Sequence, residues 1–228
     1  MADRAEQAGV FTIAVTNLPS AFQRSRPHVA QYRRMRLALG LHPLLAEQHA
    51  KERDLFKTLV SMTSFIGEVG LDFSAEGKAT AAEQIKSFEF VLETLADQPK
   101  FVTVHSRRAE MRILELLRAA HRTPVVFHWY SGPLGTLSEA LSDGHYFSVN
   151  PAMITSPSGR RILAELPRDR ILTETDGPFV RIRGRIVEPA DVALVEQALS
   201  KVWNASVAEV RASLDTNFRS LIAPLRTL

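Results

Sequence analysis

The stretch Phe101-Val102-Thr103-Val104-His105, followed at once by Ser106-Arg107-Arg108, decides how this chain is read. Apolar and β-branched residues run without a break and stop at a histidine. A strand with one wet face alternates apolar and polar side chains. A continuous run belongs to a strand buried on both faces, the habit of parallel sheets. Six further runs, most of them likewise continuously apolar, are Phe11 to Thr16, Leu37 to Leu41, Phe65 to Val69, Pro124 to Trp129, Tyr146 to Asn150 and Ile171 to Thr175. Helical segments lie between them. The clearest spans Thr80 to Leu95, with Ile85, Phe88, Leu92 and Leu95 spaced by three and four. Two more, Ala190 to Trp203 and Val207 to Leu221, follow the last run.

Strand-helix alternation leaves an open doubly wound sheet or a closed barrel. The ends of the runs favour the barrel. Leu41 leads into His42-Pro43, and the third run continues as Gly67-Glu68-Val69-Gly70-Leu71-Asp72. The fourth ends in His105, the fifth reaches His128, and the seventh reaches Glu174-Thr175-Asp176-Gly177-Pro178. In a parallel barrel these carboxyl ends converge on one mouth, where active sites are built. The class expected is therefore α/β, a TIM (β/α)8-type barrel. Seven runs are counted where such a barrel has eight strands. The chain opens instead on a helix-like Ala2 to Ala8 closed by Gly9. The expectation is a barrel lacking its first strand, that strand lying upstream of Met1. No linker, repeat or low-complexity segment breaks the pattern, so residues 1–228 are expected to form one domain.

The bulk properties narrow the chemistry. There are no cysteines among 228 residues, which excludes disulfides and thiolate ligands and agrees with a cytoplasmic setting. Any metal must then sit on His, Asp and Glu. No window approaches the roughly 20 apolar residues of a membrane span. The opening residues are charged and do not read as a signal peptide. Net charge is only +3, but 22 of the 28 basic residues are Arg. Guanidinium forks phosphate in a bidentate way, although a GC-rich genome also enriches Arg and Ala.

Each candidate residue has a bland reading. A lone histidine at a strand end is usually a hydrogen-bonded structural one. Glu68 could pair with an arginine inside the barrel, and Asp176 before Gly-Pro could merely shape a turn. Jointly these readings are poor, because all the residues fall at the same ends of their strands. Imidazole and carboxylate suit Zn, Mn, Fe or Ni, and two such ions roughly 3.5–4 Å apart clamp the attacking and leaving oxygens of a phosphoester. Arg107 and Arg108 could fork a phosphate oxygen or be ordinary first-turn charges. Trp129 and Tyr130 could stack on a base, or pack under a loop, the more ordinary role.

At this level the wording becomes specific. Gly40-Leu41-His42-Pro43, Ile66-Gly67-Glu68-Val69-Gly70-Leu71-Asp72, Val104-His105-Ser106-Arg107, Val126-Phe127-His128-Trp129-Tyr130-Ser131-Gly132 and Leu172-Thr173-Glu174-Thr175-Asp176-Gly177-Pro178 resemble, in order and spacing, the successive motifs of TatD-type metal-dependent deoxyribonucleases. His105-Ser106-Arg107-Arg108, Phe147-Ser148-Val149-Asn150-Pro151-Ala152-Met153 and Thr173-Glu174-Thr175-Asp176-Gly177-Pro178-Phe179 are most similar to the TatD-like subunit of the Qat anti-phage defence system. The resemblance implies one or two divalent ions (Mg, Mn or Zn) on Glu68, His105, His128 and Asp176. Glu68 and Asp176 would be the catalytic pair, with His42, Arg107 and Arg108 at the substrate. It implies DNA as substrate and other Qat proteins as partners. One feature departs from the family. Its first strand carries His-x-His for the first metal, and no two of the seven histidines here are two residues apart. A truncated first site is expected to impair activity. A non-catalytic subunit of a defence complex, or a hydrolase of amides or aminoacyl-tRNA esters, are the alternative readings.

Overall fold

The computed structural model describes residues 2–122 and 124–225. Seven parallel strands follow one another around the molecule: β1 (Thr12–Val15), β2 (Met35–Ala38), β3 (Phe65–Gly70), β4 (Phe101–His105), β5 (Val126–Phe127), β6 (Tyr146–Val149) and β7 (Ile171–Thr173). β1 pairs with β2, and β3 to β7 form a continuous ladder. A single bridge, Leu39 to Ile66, joins the two groups. Beyond it the end of β1 reaches β3 directly, with Thr16 N on the Gly67 carbonyl (3.1 Å) and Glu68 N on the Thr16 carbonyl (3.3 Å). That crossing needs Gly40, because a Cβ there would stand 1.7 Å from the Thr16 carbonyl oxygen.

The intervening helices are α2 (Pro19–Val29), α3 (Ala46–Leu59), α4 (Ala81–Thr94), α5 (Glu110–Ala119), α6 (Leu134–Ser142), α7 (Pro151–Thr155) and α8 (Pro157–Glu165). α1 (Ala2–Gln7) precedes β1, and Gly9 closes it at φ 72°, with Val10 N on the Ala5 carbonyl. α9 (Val192–Trp203) and α10 (Val207–Ile222) follow β7. α10 starts on a capping box, in which Ser206 Oγ accepts from Glu209 N and the Glu209 carboxylate accepts from Ser206 N. None of the described helices is long and apolar enough to cross a membrane.

Alternation along the strands sorts the core into two clusters. Ile66, Val102, Val104, Phe127, Phe147 and Ile171 pack with the surrounding helices. Their neighbours Ala38, Phe65, Phe101, Val126, Tyr146 and Leu172 pack with one another and with Leu221 and Ile222 of α10. This second set is the barrel's inner column, plugged by α10. Continuing it by twos leads from Phe101 through Thr103 to His105, from Val126 to His128, from Tyr146 through Ser148 to Asn150, and from Leu172 through Glu174 to Asp176. The period of the strand thus carries the inward face from an apolar plug to a polar mouth.

The expected runs hold with three corrections. The fifth strand is Val126–Phe127 rather than Pro124 to Trp129, because the chain turns at Trp129, φ 38°. The second begins earlier and ends at Ala38, leaving Leu39 as a lone bridge before Gly40. The seventh stops at Thr173, ahead of the left-handed Asp176. A feature not anticipated is an antiparallel hairpin, β8 (Arg181–Ile182) and β9 (Arg185–Ile186), between β7 and α9. Among the described residues, β1 pairs only with β2 and β7 only with β6, so the two do not meet as neighbouring strands. Instead Arg4 forks Glu188 at 2.5 and 2.6 Å, and the Phe11 ring lies 5.4 Å from Phe218 of α10.

Candidate metal centre

Glu68, at the end of β3, is 7% exposed and faces three imidazoles. Its Oε1 lies 2.8 Å from His105 Nδ1 and 3.7 Å from His128 Nε2, and its Oε2 lies 3.7 Å from His42 Nε2. Asp176 Oδ1 lies 3.6 Å from His128 Nε2. The five expected side chains from the ends of the second, third, fourth, fifth and seventh runs therefore converge. Ligand atoms of His42, Glu68 and His105 all fall within 4.8 Å of one another.

Which imidazole nitrogens are free for a metal follows from what holds the others. His105 Nε2 donates to Asp72 Oδ2 at 2.8 Å, leaving Nδ1 toward Glu68. His128 Nδ1 donates to Glu174 Oε2 at 2.6 Å, leaving Nε2 toward Glu68 and Asp176. A carboxylate behind the far nitrogen is the arrangement that orients histidine metal ligands and fixes their tautomer. His42 is wired the other way: its Nδ1 accepts from Leu44 N at 3.3 Å, so in the neutral ring Nε2 carries the hydrogen. It presents a donor to the mouth, which suits contact with an anionic substrate better than ligation. The His42 amide and carbonyl are fixed by the Asn17 carbonyl and by His49 Nε2.

The protonation of the ring agrees with this. Burial works against ionisation of Glu68, but His128 and the bonded His105 overcome it and hold the carboxyl down to about 2. Burial lowers the two histidines, and the carboxylates outweigh it. Asp72 and Glu68 raise His105 to about 9. Glu174 and Glu68 raise His128 to about 10. Asp72 is held well below the usual carboxylate range, the bonds from His105 and Ser74 outweighing its burial. His42 is lowered by burial. Asp176 is pushed up to about 7, first by burial, opposed by His128 and aided by Glu174 and Glu68. A concentration of nitrogen and oxygen donors carrying this much mutual perturbation fits a divalent cation.

Two expected residues stand apart from the ring. Arg107 is 56% exposed and lies 3.9 Å from Glu76. Its carbonyl accepts from Phe73 N, stitching the loops after β3 and β4. Arg108, at φ 59°, lines a cavity of about 430 Å³ with Phe73, Ile85 and Met111. Tyr130 is buried, its hydroxyl on the Pro133 carbonyl, and Trp129 packs half-buried against the core, so both take the packing role. The sequence alone does not mark Asp72, Glu174, Ser148 and Asn150 as functional. Glu174 accepts from His128, Ser148 Oγ, Asn150 Nδ2 and Trp129 N. For Ser148, Asn150 and Glu174 the signal that could have found them is the period of two along the inner column; Asp72 falls off that period because the register shifts between Ile66 and Val69.

The chain matches the TatD related DNase family over residues 1–223. It belongs to that family. Members are metal-dependent hydrolases acting on DNA phosphodiester bonds. Among individual relatives, the 3'-5' ssDNA/RNA exonuclease TatD of Edwardsiella piscicida is 33% identical over 187 residues, covering 78% of this chain and 72% of that protein. The human deoxyribonuclease TATDN3 is 26% identical, covering 99% of this chain and 89% of that one. The Escherichia coli TatD homologue YJJV superposes with a TM-score of 0.85 at 26% identity, covering 96% of this chain and 89% of that one. A TatD family hydrolase from Entamoeba histolytica shares the fold with a TM-score of 0.83 at 16% identity. The TIM-barrel expectation thus holds for this TatD relative, and so does its reading as a metal-dependent hydrolase.

Proposed function

We infer that this TatD-family chain cuts phosphodiester bonds in DNA ends or single strands, using one or two Mg, Mn or Zn ions on Glu68, His105, His128 and Asp176. The observation that carries the reading is the opposite wiring of the imidazoles. His105 and His128 are each backed by a carboxylate and turn their other nitrogen to Glu68, where loss of a proton would free it for a metal, while His42 Nδ1 is held by a backbone amide and its Nε2 turns a donor. A bound ion supplies hydroxide near neutral pH and neutralises charge on the phosphoryl oxygens. The side chains supply the rest. Asp176, at the mouth 3.6 Å from His128 Nε2, takes and returns a proton at its carboxylate. His42 Nε2 donates to a phosphate oxygen, and Arg107 and Arg108 neutralise phosphates at the rim. Relatives whose names specify single-stranded DNA and RNA, and DNA, support the substrate class. The wording of the His105, Phe147 and Thr173 segments supports a place in Qat anti-phage defence, in the cytoplasm beside other proteins of that system.

On these 228 residues alone, Glu68 and Asp176 would be left to hold the first ion without the two imidazoles of a His-x-His, since none is present. We therefore expect cleavage by this form to be lower by orders of magnitude than by a form extended with a first strand carrying His-x-His. The test compares both forms on single-stranded and nicked DNA with Mg, Mn or Zn, and with EDTA as control. Cleavage by the extended form that EDTA abolishes is the expected result. No cleavage by the extended form overturns the nuclease reading in favour of a non-catalytic subunit. Full activity of the shorter form overturns the impairment.

A further inference from the structure

We propose that Phe179 and Arg183 form a clamp at the rim of the mouth, Phe179 stacking on a base and Arg183 holding a phosphate of a single-stranded nucleic acid. The proposal rests on the nucleic-acid reading above and adds the element that grips the strand. It starts from an anomaly of exposure. Phe179 is 76% exposed, more than any other large apolar side chain among the described residues. It also lies three residues beyond Asp176, and its amide donates to the Asp176 carbonyl at 2.9 Å.

The segment bearing it is firmly seated. Val180 and Val187 are buried on either side of the hairpin, with Val187 N on the Val180 carbonyl. The Val187 carbonyl closes on Gly177 so tightly that a Cβ at Gly177 would stand 2.4 Å from it. Arg185 of β9 forks Asp191 at 2.7 and 2.8 Å. The two-residue turn is Arg183-Gly184, with φ of 49° and 80°, the left-handed pair a tight hairpin requires. So the ring stands in solvent on a rigid platform, where a loose loop would have folded it away.

The charged residues of the hairpin itself, Arg181, Arg183 and Arg185, are all basic. Arg181 spends a hydrogen bond on the Gly184 carbonyl and stays exposed. Arg183, at the tip, is exposed and has no carboxylate partner among the described residues. An exposed ring with an unpaired guanidinium beside a catalytic mouth matches a polyanion that presents flat apolar faces. A single strand has such free faces, whereas duplex bases are already stacked on one another.

The test is binding of the full chain to fluorescein-labelled dT12 and rU12, by anisotropy in EDTA so that nothing is cut. Phe179→Ala should weaken both about 10-fold, and Phe179→Trp should restore binding to within about twofold. An abasic oligomer of equal charge should bind the Phe179→Ala form and the unsubstituted chain alike. Arg183→Ala should reduce the salt slope of binding by about 0.7. A loss confined to dT12 or rU12 assigns the clamp to DNA or to RNA. Unchanged binding by Phe179→Ala, an equal loss on the abasic strand, or no binding by the unsubstituted chain overturns the clamp. In the first case the exposed ring is left as a protein contact. Failure of the nuclease reading is read separately, as absence of metal-dependent cleavage while binding persists.

Discussion

Glu174 shows how much of the centre is set by residues that never face the reacting atoms. Its carboxylate accepts from four donors on two other segments, the ends of β5 and β6, and one of them is the far nitrogen of His128. Replacing it by glutamine keeps the shape and removes the charge that orients the imidazole. Glu174→Gln should weaken metal affinity or lower activity 10- to 100-fold, measured by metal titration of both forms; an unchanged affinity would mean that packing alone aims His128. A second residue acts on stability. His145 is buried with Nδ1 accepting from Val125 N and no partner on Nε2, and burial lowers it to about 4. A folded value below the unfolded one of roughly 6.5 means the unfolded chain binds more protons. Stability is then fully present above that value and is lost as pH falls toward 4. The loss should be on the order of 2–3 kcal/mol. Denaturant unfolding at pH 7 and pH 5 checks it. His145→Asn, which keeps an acceptor for Val125, should show a clearly smaller acid loss.

At the scale of elements, the strands were legible because burial on both faces writes itself as an unbroken apolar run; β4 coincides with Phe101 to His105. β5 is shorter than its apolar run, since nothing in Pro124 to Trp129 announces that Trp129 takes a left-handed turn. The β8–β9 hairpin is too short to stand out as a pair of strands, although Arg183-Gly184 is a fair turn signal. The ligands were legible from their common place at strand ends. Their orienting carboxylates were not, because Asp72 meets His105 across 33 residues and Glu174 meets His128 across 46, pairings that only the closed sheet creates. The plug was also hidden: Val207 to Leu221 reads as an ordinary amphipathic helix, and nothing local says that its end enters the inner column. Leu221→Ala should therefore cost about 2–5 kcal/mol by denaturant unfolding, as a core deletion. A cost near zero would place α10 on the surface.

Across the whole molecule, seven strands in consecutive order bring His42, Glu68, His105, His128 and Asp176 to one end and leave α10 at the other. Between β7 and β1 the chain's two ends meet through Arg4 with Glu188 and Phe11 with Phe218, contacts made by side chains rather than by a ladder. The mouth is the part on which the functional reading stands, and it makes a demand that can be measured without turnover. His105 and His128, raised to about 9 and about 10, must give up protons for a metal to bind, so affinity has to rise with pH. The most direct measurement is calorimetric titration of the chain with Mn or Zn at pH 6.5 and pH 8.5, beside Glu68→Gln and His128→Ala. At least one ion per chain is predicted, bound more tightly at the higher pH, with affinity lost in both variants. No saturable binding, or binding indifferent to both substitutions, would contradict the metal centre and the hydrolase built on it.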